Sequence, residues 1–287
     1  MKPEVKAFFD EGTNTATYVL MDPSSNSCAV IDPVLDFDPA SGRTSTVSVD
    51  QVLDFISSKD LEVVWILETH AHADHLSAAS YLKSKTGGRT GTGKFITGVQ
   101  STFKRIFNLG DEFVPNGQQF DSLFDEGDLL ELGAMEIRVM HTPGHTPACI
   151  TFVAGDAAFV GDTLFMPDYG TARADFPGGD AKTLYQSIQR IFGLPAGTRL
   201  FLCHDYKPSG RNEYQWETTV EAQRAFNIHV HDAVTEQDFV AFREKRDATL
   251  GMPKLMLPSI QVNIRAGEMP PVEANGVAYL KLPVDAL

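Results

Sequence analysis

A run of metal-binding side chains, Glu68–His75, is the part of the sequence best suited to chemistry. Its residues are Glu-Thr-His-Ala-His-Ala-Asp-His, so three histidines and one aspartate fall within six positions. His70 and His72 are close enough along an extended turn to reach one ion together. Asp74 and His75 can face a second position or support the first. Neutral imidazole and carboxylate groups suit zinc, iron or manganese, so the run predicts a metal site.

The segments on either side of this run indicate how the fold presents it. The apolar residues of 63–67 predict a buried strand, and 76–82 predict a helix. The metal-binding residues would then occupy a loop at the carboxyl end of a strand. α/β proteins bind their ligands at such ends.

Three further motifs follow in the chain, and each contains a histidine or an aspartate. They are Thr142-Pro143-Gly144-His145-Thr146, Gly161-Asp162-Thr163 and Cys203-His204-Asp205-Tyr206. Together with Thr-His-x-His-x-Asp-His, and in this order, they resemble the signature of the metallo-β-lactamase superfamily. The resemblance covers about residues 15–206.

The superfamily resemblance implies a metal centre that can hold two ions. One site would use the histidines of the first and second motifs, and the other would use the remaining groups of the first motif with the last histidine. Asp162 would bridge the two ions. The implied sites are His70, His72 and His145 on one side, and Asp74, His75 and His204 on the other. Zinc hydrolases of the glyoxalase II kind use this set to generate a bridging hydroxide.

Two other stretches resemble the persulfide dioxygenases within this superfamily. The segment 170–176 contains Arg173-Ala174-Asp175-Phe176, which matches their Arg-x-Asp-Phe motif. The segment 250–267 matches their carboxyl-terminal tail, which often has the sequence Asn-x-Arg-Cys-Gly. Ala266 replaces the cysteine here, so any role of that thiol is absent. The small residues Ala71 and Ala73, where glyoxalase II often has an aromatic side chain, point weakly the same way.

The dioxygenase resemblance implies one Fe(II) per chain, held by His70, His145 and Asp162. Three protein ligands on one face would leave three positions open for the substrate sulfur and O2. The implied enzyme is a non-haem iron persulfide dioxygenase that oxidises glutathione persulfide to sulfite and glutathione. The residues left over would orient the ligands and hold water, or form a second metal site; these are His72, Asp74, His75 and His204. The alternative is a zinc-dependent, glyoxalase II-like thioester hydrolase.

Glutathione contains two carboxylates, so its pocket needs cations and hydrogen-bond donors. By the resemblance, Arg173 and Tyr206 occupy family positions near the thiol-binding cleft. Lys207 and Arg211 are further candidates for substrate binding, with ordinary surface charge as the alternative. His229 and His231 are interpreted as structural or exposed, and Cys149 and Cys203 as buried thiols that are not nucleophiles.

Composition excludes some classes of partner. The chain has 287 residues, with 38 acidic and 24 basic side chains and a formal charge of -14. An acidic surface repels phosphate backbones, so we expect no nucleic acid partner. Three cysteines without paired spacing indicate a reducing compartment. The sequence has no apolar signal run and no stretch of about 18 apolar residues, so a cytoplasmic protein without a membrane partner is expected.

The alternation of predicted strands and helices in two similar halves suits an α/β fold, an αβ/βα four-layer sandwich. We expect a single domain over 1–287, with a core at about 1–206 and a tail at 207–287. The tail is predicted to be helical at 213–226 and 236–250 and extended at 251–271. It could cover the metal cleft or form a dimer surface, so a homodimer is expected.

Local patterns predict further elements. Helical spacing of apolar residues predicts helices at 49–58, 99–109 and 181–192, with Ser48 or Asp50 as the cap of the first. The segment 36–46 is predicted to be a loop. The glycine-rich segment 87–93 lacks the Gly-Lys-Ser/Thr ending of a phosphate-binding loop, so it is interpreted as a flexible turn.

Overall fold

The computed structural model describes residues 2–285, which form fifteen strands and seven helices. In chain order the strands are β1 (Glu4–Asp10), β2 (Thr15–Met21), β3 (Ser27–Ile31), β4 (Val34–Asp38), β5 (Arg43–Ser45), β6 (Glu62–Leu67), β7 (Leu76–Ser77), β8 (Arg89–Gly93), β9 (Ser122–Phe124), β10 (Leu129–Leu132), β11 (Met135–His141), β12 (Ile150–Ala154), β13 (Ala157–Phe159), β14 (Arg199–Phe201) and β15 (Glu217–Thr219). The helices are α1 (Val47–Ser58), α2 (Ala79–Thr86), α3 (Ile96–Ile106), α4 (Ala181–Phe192), α5 (Val220–Phe226), α6 (Glu236–Asp247) and α7 (Met256–Asn263).

Two six-stranded sheets contain most of the strands. The first has the order β1-β2-β3-β6-β8-β9 and the second the order β10-β11-β12-β13-β14-β15. In the second sheet β11 and β13 both run antiparallel to β12, and β14 runs parallel to β13. The carboxyl ends of β11, β13 and β14 therefore lie at the same edge. A small third sheet has the order β5-β4-β7.

Successive side chains along each strand point to opposite faces of the sheet, so the apolar residues form separate layers on the two faces. Ile31 packs in the core between the two sheets, whereas its neighbour Val30 packs with Val52 and Ile56 of α1 on the outer face. On the outer face of the second sheet, helices α4 and α6 pack over Leu200. The predicted αβ/βα sandwich is confirmed. None of the helices in the described chain is long and apolar enough to cross a bilayer.

Most of the glycine-rich segment forms a strand, so the predicted flexible turn is wrong over 89–93, whereas Gly87 ends α2 in a left-handed conformation. Residues Arg89–Gly93 form β8, which pairs in parallel with β6 and β9. A Cβ on Gly91 would come within 2.4 Å of the Phe124 ring, and one on Gly93 within 2.5 Å of the Ala148 carbonyl oxygen. These glycines allow close packing in a buried strand, which composition alone does not separate from turn chemistry.

The predicted loop at 36–46 contains the hairpin of β4 and β5 instead. Asp36 at this hairpin accepts hydrogen bonds from Ser48 N at 3.0 Å and from Ser48 Oγ at 2.5 Å. The start of α1 is thus capped by a carboxylate from another element, and neither Ser48 nor Asp50 caps it as predicted. Leu76 and Ser77 pair with β4, so the predicted helix after the histidines begins three residues later, at Ala79.

The tail contains less helix at its start and more at its end than predicted. Residues Glu217–Thr219 pair with β14, and the helix begins only at Val220. The segment predicted to be extended contains α7. Pro258 is its third residue, and the first turn of a helix tolerates proline because its N–H groups have no intrahelical acceptor.

Asn263, at the end of α7, links the tail to the predicted metal-binding loop. Its Nδ2 donates to the carbonyl oxygens of His72 and His75, both at 2.8 Å. Its Oδ1 accepts from Ser77 N at 2.8 Å. All four residues are buried. One amide side chain thus fixes the backbone of the loop at three points.

We expect Asn263→Asp to loosen this loop. The carboxylate would place an oxygen against two carbonyl oxygens, leaving buried groups unsatisfied at a cost of about 1–3 kcal/mol or more. Both the melting temperature and the metal retained after dialysis against a chelator should fall. The control is Asn275→Asp, the same substitution at an exposed tail position. Equal metal retention by the two variants would contradict this role for Asn263.

Candidate metal centre

The predicted metal ligands all lie at or just beyond the carboxyl ends of strands. His70, His72 and His75 lie on the loop after β6, Asp162 follows β13, and His204 follows β14. His145, in the connection between β11 and β12, joins them. The loops from both sheets therefore converge on one place, as the sequence predicts.

Gly161 explains the Gly-Asp-Thr motif at the end of β13. Its φ is +53°, a value that L residues rarely adopt. A Cβ at this position would lie 2.6 Å from Thr69 Oγ1 and 3.4 Å from His70 Nδ1. Glycine therefore lets the Asp162 loop approach the histidine loop.

His70, His145 and Asp162 form one group of donor atoms. Their ligand atoms all lie within 4.8 Å of one another. Asp162 Oδ2 is 3.8 Å from His70 Nε2 and 3.7 Å from His145 Nε2. Metal bonds of about 2.0–2.2 Å would span such separations with one ion between the donors.

A second group contains His72, His75, Cys203 and His204, whose ligand atoms also lie within 4.8 Å of one another. His204 Nε2 lies 2.9 Å from Asp74 Oδ2 and 3.3 Å from Asp162 Oδ1. Asp74 and Asp162 thus border this group. The superfamily pattern places His72 with His70 and His145, whereas here His72 belongs to the other group.

Hydrogen bonds fix one nitrogen of each histidine and leave the other for a ligand. His70 Nδ1 lies 3.0 Å from Thr69 Oγ1, and His75 Nδ1 donates to the Leu76 carbonyl oxygen at 3.1 Å. His145 Nδ1 donates to the Arg173 carbonyl oxygen at 2.8 Å, and His204 Nδ1 lies 3.2 Å from the Asn14 carbonyl oxygen. Metal-binding histidines typically use such second partners to fix the ring.

His72 is oriented the other way. Its Nε2 lies 3.0 Å from Asp32 Oδ1 and 3.1 Å from Glu68 Oε2, and all three residues are buried. Its Nδ1 lies 3.9 Å from Cys203 Sγ. The two carboxylates hold the ring, so only Nδ1 is left to face a ligand.

The electrostatic environment of His72 differs from that of His70 and His75. Burial acts to lower the pKa of His72, but Asp32 raises it well above its usual value. Burial and the nearby His72 lower the pKa of His70 far below its usual value and that of His75 to about 3. His70 and His75 are therefore neutral near pH 7, which is the form that binds metals.

The donor atoms fit a metal ion. Buried polar atoms normally have hydrogen-bond partners, yet four atoms aimed into the two groups have no well-aligned partner within residues 2–285. They are His70 Nε2, His75 Nε2, Asp162 Oδ1 and His204 Nε2. A cation would satisfy them. Because the four atoms come from both groups, this geometry accommodates either one ion or two.

Two depressions that share Asp74, Arg173 and Tyr206 in their walls border the metal groups. A cavity of about 170 Å³ is lined by Asp162 and His145 together with Phe165, Tyr206 and Arg173. A wider cleft of about 600 Å³ is lined by Asp74, Tyr206 and Arg173, and reaches the tail at 253–255. Volumes of this order are typical of pockets for small-molecule ligands.

Arg173 and Tyr206, both predicted to contact substrate, line these depressions. The Arg173 guanidinium binds Asp175 through Nε at 2.5 Å and donates to the Gly251 carbonyl oxygen at 2.6 Å. Its Nη2 also donates to Asp175. Three of the five N–H groups of the guanidinium are therefore used. The Tyr206 ring lies 5.8 Å from that of His204 and 4.9 Å from that of Tyr169.

Lys207 and Arg211, the other two predicted substrate contacts, are engaged elsewhere. Lys207 Nζ lies 4.4 Å over the Tyr214 ring. Arg211 binds the buried Asp205 through two nitrogens at 2.5 Å and also contacts Asp168. This arrangement favours a role for Arg211 in fixing the loop after His204.

Several residues of the site were not predicted from the sequence. Asp32 and Glu68 hold His72, and the one available signal is that each is an acidic residue directly after an apolar strand. Cys203 was interpreted as a buried structural thiol, but its Sγ also lies within the second donor group. Burial raises its pKa, so it is a thiol here. His229 is structural as predicted, since its Nδ1 accepts from Thr171 N at 3.0 Å.

Comparison with known proteins identifies several relatives over nearly the full chain. A protein of Burkholderia pseudomallei (strain 1710b) named a probable metallo-hydrolase is 56% identical, covering 99% of both chains. Glyoxylase B2 of Dictyostelium discoideum is 46% identical over 100% of this chain and 98% of its own. The mitochondrial persulfide dioxygenase ETHE1 of Homo sapiens is 29% identical over 93% of this chain and 90% of its own.

Solved structures agree with the fold. The crystal structure of ETHE1 from Myxococcus xanthus superimposes with a TM-score of 0.73 at 27% identity, covering 92% of this chain and 100% of that one. The family model described as Metallo-beta-lactamase superfamily matches residues 11–204, a range that contains all seven predicted metal-binding residues, from His70 to His204. The chain therefore belongs to the metallo-β-lactamase superfamily.

Proposed function

We propose that this protein is an iron-dependent persulfide dioxygenase that oxidises glutathione persulfide with O2 to sulfite and glutathione. The observation that best supports this is the separate group of two histidines and one carboxylate, His70, His145 and Asp162. Such a set on one face of an ion is typical of non-haem iron oxygenases. Because Asp32 and Glu68 occupy His72 Nε2, His72 could contribute to an ion only through Nδ1.

The reaction balances with O2 as the sole oxidant. Glutathione persulfide, O2 and water give glutathione and sulfurous acid, which ionises to sulfite. The terminal sulfur loses four electrons and O2 gains four, while the sulfur–sulfur bond breaks and glutathione keeps its own sulfur. Fe(II), held by His70, His145 and Asp162, would supply open positions for the persulfide sulfur and O2 and the electrons that activate O2.

The protein side chains would bind and orient the substrate. Two N–H groups of Arg173 remain for a carboxylate or a peptide oxygen of the thiol. Tyr206 closes the same cavity. Phe165 and Phe176 are buried beside the metal groups, with the Phe176 ring 6.0 Å from that of His145. These aromatic side chains would give the wall of the site an apolar surface beside the metal.

A second candidate is a zinc-dependent thioester hydrolase of the glyoxalase II kind. His75 Nε2 and His204 Nε2 are buried without a well-aligned partner and lie on the side of Asp74. A second ion there, bridged by Asp162, would give the binuclear arrangement of a hydrolase. Two relatives with names of the hydrolase or glyoxylase kind are also more identical to this chain than the human dioxygenase is.

The decisive activity test compares the two substrates directly. Protein purified without added metal should consume O2 with glutathione persulfide and release sulfite in equal amounts, and should not hydrolyse a glutathione thioester. Oxygen-electrode and sulfite measurements check this, with the metal-stripped protein as control. Thioester hydrolysis without O2 consumption would establish the hydrolase instead.

Metal content separates the candidates by a second route. We expect about one iron per chain, because the two-histidine, one-carboxylate set needs no second ion. His70→Ala should then lose the iron and all O2 consumption. His204→Ala should keep most of the iron and lose activity by roughly 10–100-fold, the usual effect of a residue that supports a ligand. Elemental analysis measures the iron content of both variants, and the oxygen electrode measures their activity.

The matched control for these variants is His231→Ala, which removes a partly exposed histidine of the tail. It should retain iron and activity. Two zinc ions per parent chain, with one lost in each of the His70 and His204 variants, would argue for the binuclear hydrolase.

Arg173→Met should raise KM for the persulfide and leave the iron content unchanged, since the guanidinium faces the cleft. Loss of a charge-assisted hydrogen bond costs about 1.5–3 kcal/mol, a tenfold to hundredfold effect. The matched control is Arg211→Met, which should lower the melting temperature without raising KM. Steady-state kinetics decide, and an unchanged KM in Arg173→Met would remove Arg173 from the substrate site.

A further inference from the structure

An ion pair on α6, outside both donor groups, is almost completely buried. Arg243 binds Asp247 Oδ1 through Nε at 3.0 Å and Nη2 at 2.7 Å, and their side chains are 1% and 5% exposed. Removing two charges from water is costly, and replacing such a pair with apolar residues is often neutral or stabilising. Stability alone therefore does not account for the pair.

Both partners bind the backbone of the segment 171–174. Arg243 Nη1 donates to the Thr171 carbonyl oxygen at 3.1 Å and lies 3.3 Å from Thr171 Oγ1. Ala174 N donates to Asp247 Oδ2 at 2.8 Å. The ion pair thus holds this segment at its first and last residues.

Arg173 lies between these two anchor points and contacts the metal group through its backbone. Its carbonyl oxygen accepts the hydrogen bond from His145 Nδ1 at 2.8 Å. This bond keeps the proton on Nδ1 and directs Nε2 toward Asp162. The same residue presents its guanidinium to the cleft.

We propose that Arg243 and Asp247 are positioning residues for the metal ligand His145 and for the Arg173 side chain. They act by fixing the segment 171–174, whose backbone orients the histidine ring and whose side chain faces the substrate. The inference rests on the metal-binding role of His145 in the proposed function, and it holds whether the reaction is an oxidation or a hydrolysis.

A double variant separates positioning from stability. Arg243→Met with Asp247→Leu replaces the buried charges with apolar side chains of similar size, so the fold should persist. It also removes the donor to Thr171 and the acceptor for Ala174. Arg243→Lys is the second variant. It keeps the charge beside Asp247, but a single ammonium lacks the planar fork that reaches both Asp247 and Thr171.

The control removes an exposed ion pair of the same composition. Arg224 binds Asp232 at 2.9 Å, and both side chains are about half exposed. Arg224→Met with Asp232→Leu changes the same residue types away from the segment 171–174. All variants are compared by Fe(II) affinity under anaerobic conditions, in competition with a chromophoric chelator, and by thermal unfolding of the metal-free protein.

The proposal predicts that the double variant unfolds near the parental temperature and binds Fe(II) about 10–100-fold more weakly. Arg243→Lys should bind Fe(II) with an intermediate affinity, and the control should match the parent. Parental Fe(II) affinity in either α6 variant would overturn the proposal. If the double variant does not fold, Arg243→Lys alone decides, and parental affinity in that variant would overturn the proposal. Because no turnover is measured, these outcomes are independent of whether the substrate is a persulfide or a thioester.

Discussion

The burial of His72 between Asp32 and Glu68 is the interaction on which the metal centre depends. Asp32 accepts hydrogen bonds from Thr69 N at 2.7 Å and Thr69 Oγ1 at 2.9 Å, as well as contacting His72. The loop that contains the metal-binding histidines has little regular secondary structure, so these charged contacts replace the hydrogen bonds of a helix or strand. They fix the middle of the loop, while separate hydrogen bonds from Nδ1 orient the rings of His70 and His75 on either side.

The hydrogen-bond network around Asp32 and Glu68 continues into the tail, so the tail helps to hold the metal-binding loop in place. Glu68 accepts a hydrogen bond from Ser77 Oγ, and Ser77 N donates to Asn263 of α7. On the other side of the centre, α6 reaches the metal group through the backbone beside His145. Asp32 and Glu68 come from the core, and the outer supports come from two tail helices. The donor set therefore depends on residues from nearly the whole length of the chain.

The sequence identifies the metal-binding residues better than it identifies the residues that hold them in place. His70, His145 and Asp162 are detectable because their side-chain types and motifs are local, and strands such as β6 are detectable from continuous apolar residues. Asp32 is not, because its importance comes from contacts across a long sequence separation. Asn263 belongs to the carboxyl-terminal motif, but the motif does not indicate that its amide binds the histidine loop. β8 is missed because its glycines serve tight packing, which a single sequence does not separate from a turn. Which donors share an ion likewise depends on ring orientation, which spacing does not give.

The distance along the chain between His72 and Asn263 has a consequence for biosynthesis. The two residues are 191 positions apart, and synthesis proceeds from the amino terminus. All of the candidate metal donors leave the ribosome before the amide that closes their loop. A nascent chain therefore displays several histidines and carboxylates that are able to bind metal but are not yet held in place. The loop therefore reaches its final geometry only after Asn263 has emerged and α7 has docked.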